Sequence, residues 1–133
     1  MRRFLNETTS KYGGDIVEKY TGREVAIFAD IHGLLYPTIA ILKDIKTRRI
    51  NEIYSLGDNI GVGPNPSEVL DLLGEYGVKS VNGNSEEYSV IGIEPFNSYF
   101  HLKKIISQEW TESQLTTNQI NQLKDNKHSY DLN

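Results

Sequence analysis

Three short strand-like runs set the terms for any fold of this chain: residues 25–29 (VAIFA), 53–56 (IYSL) and 78–81 (VKSV). The first is unbroken in its apolar character, as in a strand buried on both faces of a parallel sheet. Between the first two runs, Pro37 suits an early helical turn. Ile39, Ile41, Leu42 and Ile45 then make an apolar stripe over Lys43, Lys46 and Arg48. Between the second and third, Asn65-Pro66-Ser67-Glu68 reads as a helix start, with a capping Asn, Pro at the first helical position and a Glu three residues after the cap. Val69, Leu70, Leu72 and Leu73 supply that helix with a buried face, and Gly77 is placed to stop it. The order βαβαβ implies an α/β fold, a parallel sheet with right-handed crossovers and flanking helices.

The flanking segments read differently. Residues 1–22 are polar, broken by Gly13-Gly14 and Thr21-Gly22, and are expected to form a tail ahead of a single domain over residues 23–133. The spacing of Tyr99, Leu102, Ile105 and Ile106 predicts a helix over residues 96–110. Thr116 or Thr117 is expected to cap another, carrying Ile120 and Leu123, and residues 129–132 to begin a strand.

Composition narrows the chemistry. A formal net charge of -4 on 133 residues, with no basic run, argues against nucleic acid held by charge. The chain has no cysteine, so any metal must be held by carboxylate, imidazole or amide groups, which select manganese, iron, zinc or magnesium. No apolar run approaches the roughly 18 residues of a membrane span, and the basic start is not followed by an apolar stretch. A cytoplasmic protein without membrane partners is expected.

Polar residues cluster where the strands end. Asp30 and His32 follow the first, Gly57-Asp58-Asn59 the second and Gly83-Asn84 the third. In a parallel sheet all three loops emerge at the carboxyl edge, so Asp30, His32, Asp58 and Asn84 converge. Each is a competent ligand for a divalent ion, and Asp58, on the middle loop, is the natural bridge between two. The adjoining glycines leave room for a metal or phosphate to approach the backbone. Taken singly, each residue reads as turn chemistry; three successive strand ends that each supply a ligand do not. Glu86-Glu87 reads as a solvated charge pair. His101, on a probable helix, and His128 read as structural or exposed.

In order, Asp30-Ile31-His32-Gly33, Gly57-Asp58-Asn59-Ile60-Gly61 and Gly83-Asn84-Ser85-Glu86 resemble the first three signature blocks of the calcineurin-like metallophosphoesterases. Gly63-Pro64-Asn65-Pro66 and the later Trp110-Thr111 and Leu115-Thr116 look like the small bacterial and archaeal cytoplasmic branch. The resemblance implies an α/β/β/α sandwich, of which this chain holds the N-terminal half, with two divalent ions at its edge. Carried over by position, it implies that Asp30 and His32 bind the first ion, Asp58 bridges both and Asn84 binds the second. The implied activity is hydrolysis of a phosphate mono- or diester, of a phosphorylated small molecule or nucleotide, by a metal-bound hydroxide.

Two departures accompany the resemblance. Ser85 stands where the third block usually has a His near the leaving group, and a hydroxyl is no cationic donor; losing that role costs roughly 10²–10⁴ in rate. No Gly-His-x-His block follows in these 133 residues. The alternative is therefore a truncated or degenerate, non-catalytic metal-binding or interaction module. A sheet without its second half leaves apolar surface open, which leads to an expectation of self-association or of a partner that completes it.

Overall fold

The computed structural model describes residues 23–92 and 99–132, without the side chains of residues 99–101. The expected N-terminal tail lies outside the described residues. The chain runs β1 (Val25–Phe28), α1 (Leu35–Thr47), β2 (Glu52–Ser55), α2 (Pro66–Glu75), β3 (Lys79–Ser80), α3 (Asn84–Ile91), α4 (Tyr99–Ser113) and α5 (Thr117–Asp125). The strands form one parallel sheet in the order β1-β2-β3, with Val25 opposite Glu52 and Tyr54 opposite Lys79. This is the expected βαβαβ arrangement with flanking helices.

Local chemistry explains the helix ends. Pro66 occupies the first turn of α2 behind Asn65. At its other end Gly77 adopts φ +64°, and the Gly77 and Val78 N–H groups donate to the carbonyls of Gly74 (3.0 Å) and Leu73 (2.9 Å). That double closure satisfies two carbonyls the helix would otherwise leave bare. At the start of α5, Thr116 Oγ1 accepts from the Gln119 N–H at 3.2 Å and Gln119 Oε1 accepts from the Thr116 N–H at 2.9 Å, a reciprocal cap.

The core lies between one face of the sheet and helices α1 and α2. Ile31, Leu42, Ile45, Ile50, Ile53, Val69 and Leu73 form a buried cluster, joined at its margin by Ala26, Phe28 and Leu72. Strand alternation turns Ile27 and Leu56 to the other face, where they are 50% and 60% exposed. Tyr54 on that face is buried, its ring in edge contact with Tyr130 at 5.5 Å. β1 is an edge strand. No helix among the described residues is long and apolar enough to cross a membrane.

One expectation needs correction, and one expected helix packs by its polar side. Residues 129–132 form no strand; the pairing at that end is a single parallel bridge between Val81 and Lys127. Helix α4 exists, but its apolar spacing does not face the core. Leu102, Ile106 and Trp110 are 53%, 58% and 44% exposed, whereas Gln108 and Thr111 are buried. The physical reason is hydrogen bonding. Gln108 Nε2 donates to Ser89 Oγ at 2.6 Å and to the Ser85 carbonyl at 3.3 Å, and Thr111 Oγ1 donates to the Gly61 carbonyl at 3.1 Å. These bonds fix α4 by its polar side against α3 and the glycine-rich loop that follows β2.

Candidate metal centre

The loops that follow β1 and β2 extend the backbone pairing past the strands. Asp30 N–H donates to the Gly57 carbonyl at 3.1 Å, His32 N–H to Asp58 at 2.9 Å and Gly33 N–H to Asn59 at 2.7 Å. This zipper puts Asp30, His32 and Asp58 side by side, with a ligand atom from each lying within 4.8 Å of the others. His32 Nε2 is 3.6 Å from Asp30 Oδ1, and Nδ1 is 3.3 Å from the Ile60 carbonyl oxygen. A carbonyl can only accept, so a hydrogen bond there needs the proton on Nδ1, the tautomer in which Nε2 can serve as a ligand. Two carboxylates and an imidazole make a donor set suited to a divalent ion of the manganese, iron, zinc or magnesium kind.

The backbone at these residues is unusual. Asp30, His32 and Asp58 have φ of +58°, +50° and +52°, in the left-handed region that residues with a Cβ avoid. Each such residue costs about 1–2 kcal/mol. Among the described non-glycine residues only Arg49 shares that conformation. Strain gathered on three adjacent polar side chains is a mark of a functional site.

A buried carboxylate holds the Asp58 loop in place. Glu86 is fully buried, and its Oε2 accepts from the backbone N–H groups of Asp58 (2.9 Å) and Gly83 (2.8 Å). Its Oε1 accepts from Asn59 at 2.6 Å and from Ile60 at 3.3 Å. The reading of Glu86-Glu87 as a solvated pair is therefore wrong for Glu86 and right for Glu87, which is exposed. The one available sequence signal was a Glu in the first turn of a helix that starts beside a ligand. Two of the glycines also serve a packing end. A Cβ on Gly83 would lie 2.5 Å from Asp58 N, and one on Gly57 would lie 2.3 Å from Gly83 N. The space at these two positions is filled by neighbouring backbone, which lets the second and third loops touch.

Asn84 opens α3 beside Asp58. With its amide turned to satisfy both groups, its nitrogen donates to Asp58 Oδ1 and Oδ2 at 3.0 Å each. The Ser85 N–H donates to Asp58 Oδ1 at 2.9 Å, while the Ser85 residue itself is buried. One turn along α3, the Tyr88 hydroxyl accepts from Lys104 Nζ at 3.1 Å. That bond holds the Tyr88 phenol below its ordinary range, against burial and the Asp58 carboxylate, which push it up. All four residues singled out at the strand ends thus meet at one edge. His128 is exposed past the end of α5, and the His101 side chain lies outside the described residues.

No family model matches the chain. An uncharacterized protein of Methanocaldococcus jannaschii is 40% identical over 88 residues, covering 66% of this chain and 35% of that protein. The crystal structure of a metallophosphoesterase from Sphaerobacter thermophilus is similar with a TM-score of 0.62 and 27% identity, over 80% of this chain and 42% of that one. The chain therefore spans well under half the length of either protein. Its three-stranded parallel sheet with flanking helices is a metallophosphoesterase-like fold, with a candidate Asp30, His32 and Asp58 metal group at the carboxyl edge.

Proposed function

We propose that the chain is the N-terminal part of a calcineurin-like metallophosphoesterase and holds divalent metal for the hydrolysis of a phosphate mono- or diester. The observation that carries this reading is the group Asp30, His32 and Asp58, two carboxylates and an imidazole held together on left-handed backbone. In this reading Asp30 and His32 hold one ion, Asp58 bridges to a second, and Asn84 completes the protein's share of that second site. When bound, the ions supply Lewis-acid neutralisation of the phosphoryl oxygens and acidify a water that attacks phosphorus.

The chain's own residues prepare that chemistry. The Ile60 carbonyl orients the His32 ring so that Nε2 is free to ligate. Glu86 fixes the loop that carries Asp58, so its carboxylate needs little reorganisation on binding. The Asp30 side chain is 70% exposed, which leaves the edge open to a phosphorylated substrate. A second reading, metal binding without turnover, is favoured by Ser85, a buried hydroxyl where a cationic donor would serve the leaving group.

Both readings require metal binding, tested by calorimetric titration of the chain with Mn²⁺ and with Mg²⁺. Wild type is expected to bind, and Asp58→Asn to bind at least roughly tenfold more weakly, since even changes to groups behind the ligands cost about 10–100-fold. Equal affinity in the two proteins would remove Asp58 from the centre.

A further inference from the structure

Helices α3 and α4 bring to the same edge a pair of polar side chains that the metal ligands do not use. Lys104 Nζ donates to the Tyr88 hydroxyl at 3.1 Å and lies 4.5 Å from the centre of the Tyr88 ring. Tyr88 sits one turn from Asn84 on α3, and the Asn84 amide faces both Asp58 oxygens at 3.0 Å. The Tyr88–Lys104 pair therefore stands one helical turn from the residue that faces the Asp58 carboxylate. Both ends of the pair are half-buried, so the charge is only partly screened.

This arrangement has a use beyond holding two helices together. An ammonium carries three N–H donors and spends one of them on Tyr88. The remaining donors, with the phenol beside them, border an edge whose main charged groups are carboxylates. A phosphate oxygen arriving there needs a cation opposite it, and charge-assisted hydrogen bonds are the strong kind. The buried Ser85 hydroxyl, in the preceding turn of α3, carries no charge. We propose that Lys104 and the Tyr88 hydroxyl form an anion subsite that binds an oxygen of the substrate's phosphoryl or leaving group beside the metal centre. The proposal rests on the phosphoesterase reading of that centre and names the substrate contact that α4 contributes to it. Fixing α4 through Gln108 and Thr111 then has a purpose, because it sets the register that delivers Lys104.

The test is a titration of the full chain with inorganic phosphate, with and without saturating Mg²⁺, followed by NMR at Lys104 and Tyr88. Mg²⁺ affinity and melting temperature are measured alongside for wild type, Lys104→Met, Lys104→Arg and Tyr88→Phe. Phosphate is expected to shift the Lys104 and Tyr88 signals. Lys104→Met should raise the phosphate Kd roughly 10–100-fold, the worth of a hydrogen bond to a charged group. Lys104→Arg should restore part of that loss, and Mg²⁺ affinity should stay within about twofold in both Lys104 variants. If Lys104→Met lowers the melting temperature but binds phosphate as wild type does, Lys104 is a structural link and the proposal is overturned. Unmoved Lys104 and Tyr88 signals at saturating phosphate overturn it as well. A chain that binds no Mg²⁺ would sink the metal reading instead, and loss of phosphate binding in Lys104→Met would still support the subsite.

Discussion

Glu86 is the residue on which the geometry of the site turns. Its two oxygens accept from four backbone N–H groups, three of them in the loop that presents Asp58. Replacing one oxygen by an amide NH₂ sets donor against donor at a fully buried side chain, a penalty of about 1–3 kcal/mol. Glu86→Gln is therefore expected to lower unfolding free energy by about that amount, measured by urea denaturation, and to weaken Mn²⁺ binding roughly 10–100-fold. A variant with unchanged stability and unchanged metal affinity would show that the loop holds itself. Asp30, His32, Asp58 and Asn84 were legible in the sequence because strand ends in a parallel sheet share an edge. Glu86 was not, because its burial depends on unpaired N–H groups in a loop far upstream. Adjacent to Glu87 at a helix start, it carries the pattern of an exposed acid.

Among the elements, β1 is pinned at its start by an ion pair. The Arg23 guanidinium donates to both Glu52 oxygens, and Lys79 lies 3.8 Å from the same carboxylate, so charge ties the first residues of β2 and β3 to the segment that leads into β1. The Arg23 hydrogen bond is the main cause holding the Glu52 carboxyl below its ordinary value, with burial opposing it and the charges of Arg23 and Lys79 adding to it. A carboxylate depressed in the folded state stabilises the fold above its unfolded pKa, and that contribution is lost as pH falls through the folded value. The expected result is a small stability difference between wild type and Glu52→Gln near neutral pH that vanishes in acid, read from urea midpoints across pH. A difference that persists or grows at low pH would contradict it. Four of the five helices were legible, with the Thr116 cap and the Gly77 stop where the chemistry put them; α3 was missed, and Asn65 stands at the start of α2 without a side-chain capping bond. The orientation of α4 was not legible. Periodicity located its apolar stripe, but the buried face was decided by Gln108 and Thr111 bonding to carbonyls of the site, which a hydropathy pattern does not encode.

At the scale of the whole molecule, the described residues cover one face of one sheet and leave the other partly open. Ile27 and Leu56 on the sheet, with Leu102, Ile106 and Trp110 on α4, expose apolar surface that a stable monomer normally covers. The chain matches 42% of the length of the metallophosphoesterase it is similar to, so much of that fold has no counterpart in it. Sedimentation velocity is expected to show species above the monomer, or thermal melting to show a marginal fold; a monodisperse, high-melting monomer would contradict this. The βαβαβ topology and its carboxyl-edge site were read from strand and loop spacing, since both depend on contacts between successive elements. What covers the open face involves surfaces that local patterns do not describe. In the proposed function, Asp30, His32 and Asp58 hold metal for phosphoester hydrolysis. Its most direct test is Mn²⁺-dependent hydrolysis of bis(p-nitrophenyl) phosphate by wild type and Asp58→Asn. Wild type is expected to turn over only with metal, with the variant slower by at least roughly 10²-fold, beyond what losing a group behind the ligands costs. Equal rates in the two proteins, or no turnover in either with Mn²⁺ demonstrably bound, would contradict the claim.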